Sequence, residues 1–193
     1  MRLSFALLAA SALLPALAGI TLYAADEGPG KIMRPVDGAA LANGRLDVIA
    51  TAPSGRLELD GQPMAAQQPF PNVLHAVQKV SPGIHILALL WEGGRKEIRL
   101  FSGPNPPNGF TAFIDHPGAL DAPCTQCHEM SQRGRFRFKG GCFGCHQQDT
   151  FAKVHTHNET VLSECGLCHN AHGSTAKAFL LYPKETACRI CHQ

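Results

Sequence analysis

The chain has 193 residues, of which 45% are hydrophobic and 17% charged, and its formal net charge is +2. This composition is that of a folded protein rather than a disordered one, and so small a charge gives no support to nucleic-acid binding. The chain also contains ten histidines and eight cysteines.

The amino terminus has the pattern of an export signal. Residues 1–25 carry one positive charge, Arg2, followed by an uncharged stretch rich in Leu and Ala. Residues 16–18 read Ala-Leu-Ala, which fits the cleavage site of a secretory signal peptide. The stretch is also long enough to span a bilayer, so an uncleaved membrane anchor is the alternative, and membrane association is expected only in that case. Both interpretations predict a location outside the cytoplasm, in the periplasm or at the cell surface.

Residues 26–109 contain no cysteine and show the alternation typical of β-strands. Asp60-Gly61 is a favoured two-residue hairpin sequence, and further turn signals lie at 81–83 and 93–94. His75 and His85 lie within predicted strands and are expected to have structural roles, with ligation of a haem, in the same chain or in a neighbouring subunit, as the alternative for one of them. Short strands at regular spacing predict an all-β domain, a sandwich of immunoglobulin-like type. The predicted strands cover residues 46–51, 56–59, 73–80, 84–91 and 96–101.

Residues 102–109 read Ser-Gly-Pro-Asn-Pro-Pro-Asn-Gly. Their composition predicts a linker, which three prolines would make fairly stiff. The expected organisation is therefore a signal segment at 1–25, a β-sandwich domain at 26–109 and a second domain at 110–193.

All eight cysteines lie in the second domain, in four C-x-x-C-H motifs. C-x-x-C-H is the attachment motif for c-type haem: the two thiols bond to the porphyrin, and the histidine is an axial ligand of the iron. Structural zinc sites and disulfide frameworks also use paired cysteines, but neither requires a histidine after every second cysteine. The sequence thus predicts four covalently attached haems. The motif residues are Cys124, Cys127 and His128; Cys142, Cys145 and His146; Cys165, Cys168 and His169; Cys188, Cys191 and His192.

A domain of about 80 residues is too short to bury four porphyrins in an ordinary protein core. We therefore expect the haems to pack against one another, with loops and short helices around them and little regular secondary structure.

The second domain contains four histidines outside the motifs, equal in number to the irons. We predict that these are the distal ligands and that all four haems are bis-histidine. His169 and His172 would lie on one face of a helix, so His172 should reach a different iron from His169. His155 and His157 are two residues apart and would point to opposite sides of an extended chain. A solvent-exposed histidine is the alternative for each candidate, and the pairing with individual haems stays open. The predicted distal ligands are His116, His155, His157 and His172.

Residues 116–192 resemble the multihaem c-type cytochromes with paired C-x-x-C-H motifs, including the C-x-x-C-H-x-x-H element at 165–172. The resemblance implies low-potential bis-histidine haems and electron transfer in the periplasm or at the cell surface. The most compact tetrahaem cytochromes often have C-x-x-C-H-H, whereas other residues follow the histidine here, so their haem arrangement is not carried over. The residues at those positions are Glu129, Gln147, Asn170 and Gln193.

Basic residues alternate with phenylalanines between the first two motifs. This alternation predicts a short hairpin with one basic face, which would hold haem propionates or steer an acidic redox partner. A solvated strand is the alternative. The residues concerned are Arg133, Arg135, Arg137 and Lys139, interleaved with Phe136 and Phe138. Four bis-histidine haems would add a charge of about −4, so the haem-loaded protein should be mildly acidic.

The leading functional prediction is a one-electron carrier, not an enzyme, whose partners are other redox proteins or an external electron acceptor. A multihaem reductase of a small oxyanion or nitrogen compound is the first alternative and would need an iron with an open position. The second is a haem-bearing subunit of an oligomer, a larger complex or a filament.

Overall fold

The computed structural model describes residues 28–147, 157, 164–189 and 191–192. The predicted signal segment at 1–25 lies outside these residues. Residues 28–113 form a β region of ten strands. These are β1 (Lys31–Arg34), β2 (Ala39–Leu41), β3 (Arg45–Thr51), β4 (Arg56–Leu59), β5 (Gln62–Pro63), β6 (Gln67–Phe70), β7 (Val73–Lys79), β8 (Gly83–Trp91), β9 (Gly94–Ser102) and β10 (Thr111–Ala112).

The ten strands form two sheets. One has the order β1-β3-β7-β6 and the other the order β10-β2-β9-β8-β4-β5. The pairs β10–β2 and β2–β9 are parallel, and the other neighbouring pairs are antiparallel. The longest pairing joins β8 to β9, in continuous register from Gly83 opposite Ser102 to Trp91 opposite Gly94.

Both sheets contribute to one hydrophobic core, because side chains alternate between the two faces of a strand. Leu46 and Val48 of β3 enter this core from the first sheet, and Leu57, Leu87 and Leu100 enter it from the second. All five side chains are 0–1% exposed. The core belongs to the β region and contains no motif cysteine or histidine.

The prediction of an all-β amino-terminal region is confirmed. Each predicted strand corresponds to an observed one, and the hairpin sequence lies between β4 and β5 with positive φ at Asp60 (52°) and Gly61 (75°). Type I′ hairpin turns require such angles at both central residues. The sequence analysis did not predict the shorter strands β1, β2, β5, β6 and β10.

The segment predicted as a linker is instead a loop within the β region. Ser102 is the buried last residue of β9, and after the loop Thr111 and Ala112 return to the sheet as β10, beside β2. Phe113 then packs against the core. The β region therefore extends a few residues beyond the predicted boundary at 109.

The described part of the C-terminal region, from residue 114 onward, has short elements only. Helix α1 spans Pro117–Asp121, strands β11 (His128–Met130) and β12 (Phe136–Phe138) form a hairpin, and helix α2 spans Lys184–Arg189. This agrees with the prediction of little regular structure and short helices. Within the residues that the structure describes, no helix is long and apolar enough to cross a membrane.

Candidate haem site

The four C-x-x-C-H motifs share one local conformation, a tight backbone turn. The N–H of the second cysteine donates to the carbonyl of the first at 3.3, 3.1, 3.2 and 3.4 Å, from the first motif to the fourth. In the second, third and fourth motifs the histidine N–H donates to the same carbonyl at 2.9 Å. One turn therefore gathers two thiols and an imidazole, as attachment and ligation of a single haem require. All eight cysteines are free in this structure.

Three motif histidines face a predicted distal histidine. Two imidazoles bound to opposite sides of one metal, with bonds of about 2 Å, have ring centres about 6 Å apart. The observed separations fit this distance. The centroids are 5.7 Å apart for His128 and His172, 5.9 Å for His146 and His116, and 5.9 Å for His192 and His157.

The pair His128–His172 has the most parallel rings, with 6° between their planes. Burial lowers the pKa of His128. Burial, aided by the charges of His128 and Arg34, lowers the pKa of His172 to about 4. Metals bind neutral imidazole, so both rings have the ligand form at neutral pH. A hydrogen bond between the His128 ring and the backbone of Arg137 opposes the effect of burial on the pKa of His128.

Two aromatic side chains contact His128 of this pair. The ring of Phe136 stacks on His128 with centroids 4.7 Å apart, and Phe138 lies 5.7 Å from the same ring. Both phenylalanines lie on β12, whose pairing with β11 confirms the predicted hairpin. Arg137 lies between them in sequence and pairs with Glu129 across the hairpin. The alternation predicted the basic face, but the contact of the phenylalanines with His128 was missed.

His169, in the third motif, is oriented by the backbone. Its Nδ1 donates a hydrogen bond of 2.7 Å to the carbonyl of Ala178, because a carbonyl oxygen can only accept. A carbonyl partner of this kind is what commonly orients a metal-binding histidine. The predicted ligand His155 lies outside the described residues.

Cysteines of the first three motifs lie close together. Burial raises the pKa of Cys142, and the neighbouring thiols of Cys165, which shares a hydrogen bond with it, and Cys127 raise it further. The amide of Gln126 also donates to Sγ of Cys145 at 3.8 Å. Groups attached to these three motifs would therefore be close neighbours, as the short chain led us to expect.

The two histidines of the β region have polar partners within it. His75 contacts Asp47 at 3.2 Å, and His85 contacts Asp60 at 2.7 Å and the carbonyl of Ser81 at 2.8 Å. Burial opposes the charged form of His85, but the hydrogen bonds to Asp60 and Ser81 outweigh it and raise the pKa of the ring. These contacts are those of the structural roles expected from the sequence.

Comparison with known proteins adds a family match at the C-terminus. Residues 157–193 match the family described as doubled CXXCH motif. The match includes the third and fourth motifs together with His157 and His172. A doubled motif of this kind indicates covalently attached c-type haem and is that of multihaem c-type cytochromes, which transfer electrons. No curated protein matches the chain.

Three solved structures are similar to part of the chain. The FMN-binding β-glucuronidase from Facaelibacterium prausnitzii L2-6 is 16% identical over 42% of this chain and 13% of its own, with a TM-score of 0.34. The fibronectin(III)-like modules of CbhA from Clostridium thermocellum are 17% identical over 38% of this chain and 96% of theirs, with a TM-score of 0.32. The endo-β-1,4-mannanase from Thermotoga petrophila is 13% identical over 41% of this chain and 20% of its own, with a TM-score of 0.33. The chain thus spans well under two thirds of the β-glucuronidase.

Proposed function

We propose that this chain is a tetrahaem c-type cytochrome with bis-histidine haems that passes electrons between redox partners outside the cytoplasm. The observation that carries the proposal is the set of three histidine pairs with ring centres 5.7–5.9 Å apart, each joining a motif histidine to a predicted distal ligand. The number of haems follows from four motifs with the same turn.

The protein residues attach, ligate and shield the haems. The motif cysteines form the thioether bonds, and the motif histidines are the proximal ligands. His172 would serve the haem of the first motif, His116 that of the second and His157 that of the fourth. Each bound haem supplies one iron that takes up and releases a single electron.

Filled coordination favours a carrier over an enzyme. A reductase needs an open iron position and nearby acid–base groups for its substrate. Imidazoles on both sides would leave no such position, so exchange of electrons with partner proteins or an external acceptor fits better. Histidine ligation on both sides also favours low potentials, because methionine raises them. Haem-loaded subunits of a larger complex would use the same chemistry.

We propose an extracytoplasmic location, in the periplasm or at the cell surface. The uncharged segment after Arg2 supports export, and the C-x-x-C-H motifs call for attachment of haem on the same side of the membrane.

We also propose that the β region is an immunoglobulin-like sandwich. If β1, β3, β4, β6, β7, β8 and β9 are strands A to G, the two sheets contain the orders A-B-E-D and G-F-C. These are the sheets of immunoglobulin constant-type domains, and β5 beside β4 corresponds to the additional C′ strand of variable-type domains. The topology supports this assignment, which by itself carries no function.

The experiment that tests the proposed function is mass spectrometry combined with EPR on protein produced with the haem-attachment machinery. We expect four haem adducts and only low-spin ferric haem. Fewer than four adducts would contradict the haem count. A stoichiometric high-spin signal would contradict bis-histidine ligation and favour the reductase.

A further inference from the structure

Arg34, at the end of β1, joins the β region to the backbone of a predicted distal ligand. Its side chain is only 4% exposed. Nη1 donates to the carbonyl of His172 at 2.5 Å, Nη2 donates to Asp115 at 2.5 Å, and Nε donates to the carbonyl of Asp47 at 3.2 Å. One buried guanidinium therefore binds two parts of the C-terminal region and one strand of the β region at once. Three directed bonds from a planar group fix the position of its partners more closely than a point charge would.

The chain next to His172 is held by two further contacts. Ile114 and Ser174 exchange backbone hydrogen bonds of 2.8 and 3.0 Å. Gly173 lies so close to Phe113 that a Cβ at this position would be 2.7 Å from the phenyl ring and 2.8 Å from the carbonyl of Ile114. Phe113 itself packs against the core of the β region. The loop that contains His172 therefore packs closely against the β region at Phe113.

The β region also reaches the other histidine of the same pair. Phe70, the last residue of β6, packs on Phe136 with centroids 4.8 Å apart, and Phe136 stacks on His128. Both imidazoles of the pair His128–His172 are therefore supported from the β region, one through Arg34 and the other through two aromatic rings.

We infer that the β region is a positioning element for the haem of the first motif and that Arg34 is the residue that keeps His172 in ligand position. This inference rests on the proposed function, because it takes His172 as a ligand. It gives the β region a role that neither its fold nor the haem motifs indicate. Among the predicted distal ligands that the structure describes, the hydrogen bonds of Arg34 reach only His172, so we expect the effect at one haem.

The test is the spin state of the full-length, haem-loaded protein with Arg34→Met. We expect all four haems to remain attached by mass, because the cysteines are unchanged, while about one haem in four changes from low-spin to high-spin by EPR. The matched control is Arg95→Met, since Arg95 is an exposed arginine of the β region that pairs with Glu58 and Glu97. This control should keep the spectrum of the unsubstituted protein. Arg34→Lys retains the positive charge, so its spectrum should be closer to that of the unsubstituted protein than the spectrum of Arg34→Met is.

A second variant tests the contact between the loop of His172 and the β region by a change in the C-terminal region. Gly173→Ala introduces a Cβ that Phe113 and Ile114 do not accommodate, and it leaves every residue of the β region unchanged. Its control is Gly109→Ala, at a glycine with φ +91° that has no atom within 4 Å of the added Cβ. Gly173→Ala should change the same single haem, and His172→Ala provides the spectrum of complete ligand loss.

The outcomes separate the inference from the proposed function. If the unsubstituted protein has four low-spin haems and both Arg34→Met and Gly173→Ala keep its spectrum, the inference is wrong and the proposed function stands. If Arg34→Met does not fold because Asp47 loses an ion-pair partner, Gly173→Ala decides. If the unsubstituted protein itself lacks four low-spin haems, the proposed function fails first.

Discussion

The proposed pairing of His116 with the second motif can be tested by combining His116→Ala with removal of the second haem. If the pairing is right, the effects of these two changes on the high-spin EPR signal are not additive. His116 and His146 have ring centroids 5.9 Å apart, and the ring centroid of Phe179 lies 5.0 Å from that of His116. If His116 serves the second haem alone, His116→Ala leaves three six-coordinate irons and one that has lost a ligand. The high-spin EPR signal should then integrate to about one quarter of the haem.

The assay repeats this change in protein that lacks the second haem. Cys142→Ser with Cys145→Ser removes its attachment points, and mass spectrometry should show three haem adducts instead of four. In this background His116→Ala should add no high-spin signal, because its iron is absent. His172→Ala is the matched control and should still convert one of the three remaining haems. Coupling between two changes at one site is what a double-mutant comparison measures.

Two results would refute the pairing. If His116→Ala produces the same high-spin signal with three haems as with four, His116 binds an iron other than that of the second motif. If His116→Ala has no effect even with four haems, His116 is not a distal ligand.

Three further predictions concern the β region and the unloaded chain. Leu87→Ala should reduce the free energy of unfolding of the β region by about 2–5 kcal/mol, measured by denaturant titration with far-UV CD. Ile84→Ala, at a 57% exposed position of the same strand, should reduce this free energy far less. The pKa of His85 is raised above 6.5 in the folded state, so its contribution to stability is complete below pH 6.5 and is lost as the pH rises through the raised pKa. Thermal unfolding measured across this pH range should show the loss as a falling unfolding temperature. His85→Asn should abolish this part of the pH dependence. Protein made without haem should have a cooperatively folded β region and a protease-sensitive C-terminal region, because ligand binding supplies much of the stability of a small cofactor domain. A protease-resistant C-terminal region would contradict this.

The longer strands could be predicted because their pattern is local. Leu57 and Leu59 alternate with polar residues, and Asp60-Gly61 has the composition that a two-residue turn demands. Strand β10 could not be predicted in the same way. Its two residues follow a Pro- and Gly-rich segment and join the sheet only through parallel pairing with β2, about 70 residues earlier in the chain.

The candidate ligands could be counted from the sequence, but their pairing could not. The four motifs contain four histidines, and four more lie outside the motifs in residues 110–193. Which of them meet depends on the path of the chain, and no local periodicity encodes that path. Arg34 was missed for a related reason: a lone arginine in a short strand is usually solvated, and only the fold shows it buried against His172.

The histidine pairs also show that the C-terminal region is one unit rather than a row of separate haem-binding motifs. His172 follows the third motif and faces the first, while His116 precedes the first motif and faces the second. The segment matched by the doubled motif family contains the pair His157–His192, yet its His172 faces a motif outside that segment. A ligand taken from another motif links the geometry of two sites, so displacing the third motif should disturb the first through His172. Arg34 extends this link to the β region, so the β region should influence the geometry of the first haem site even though it folds without haem.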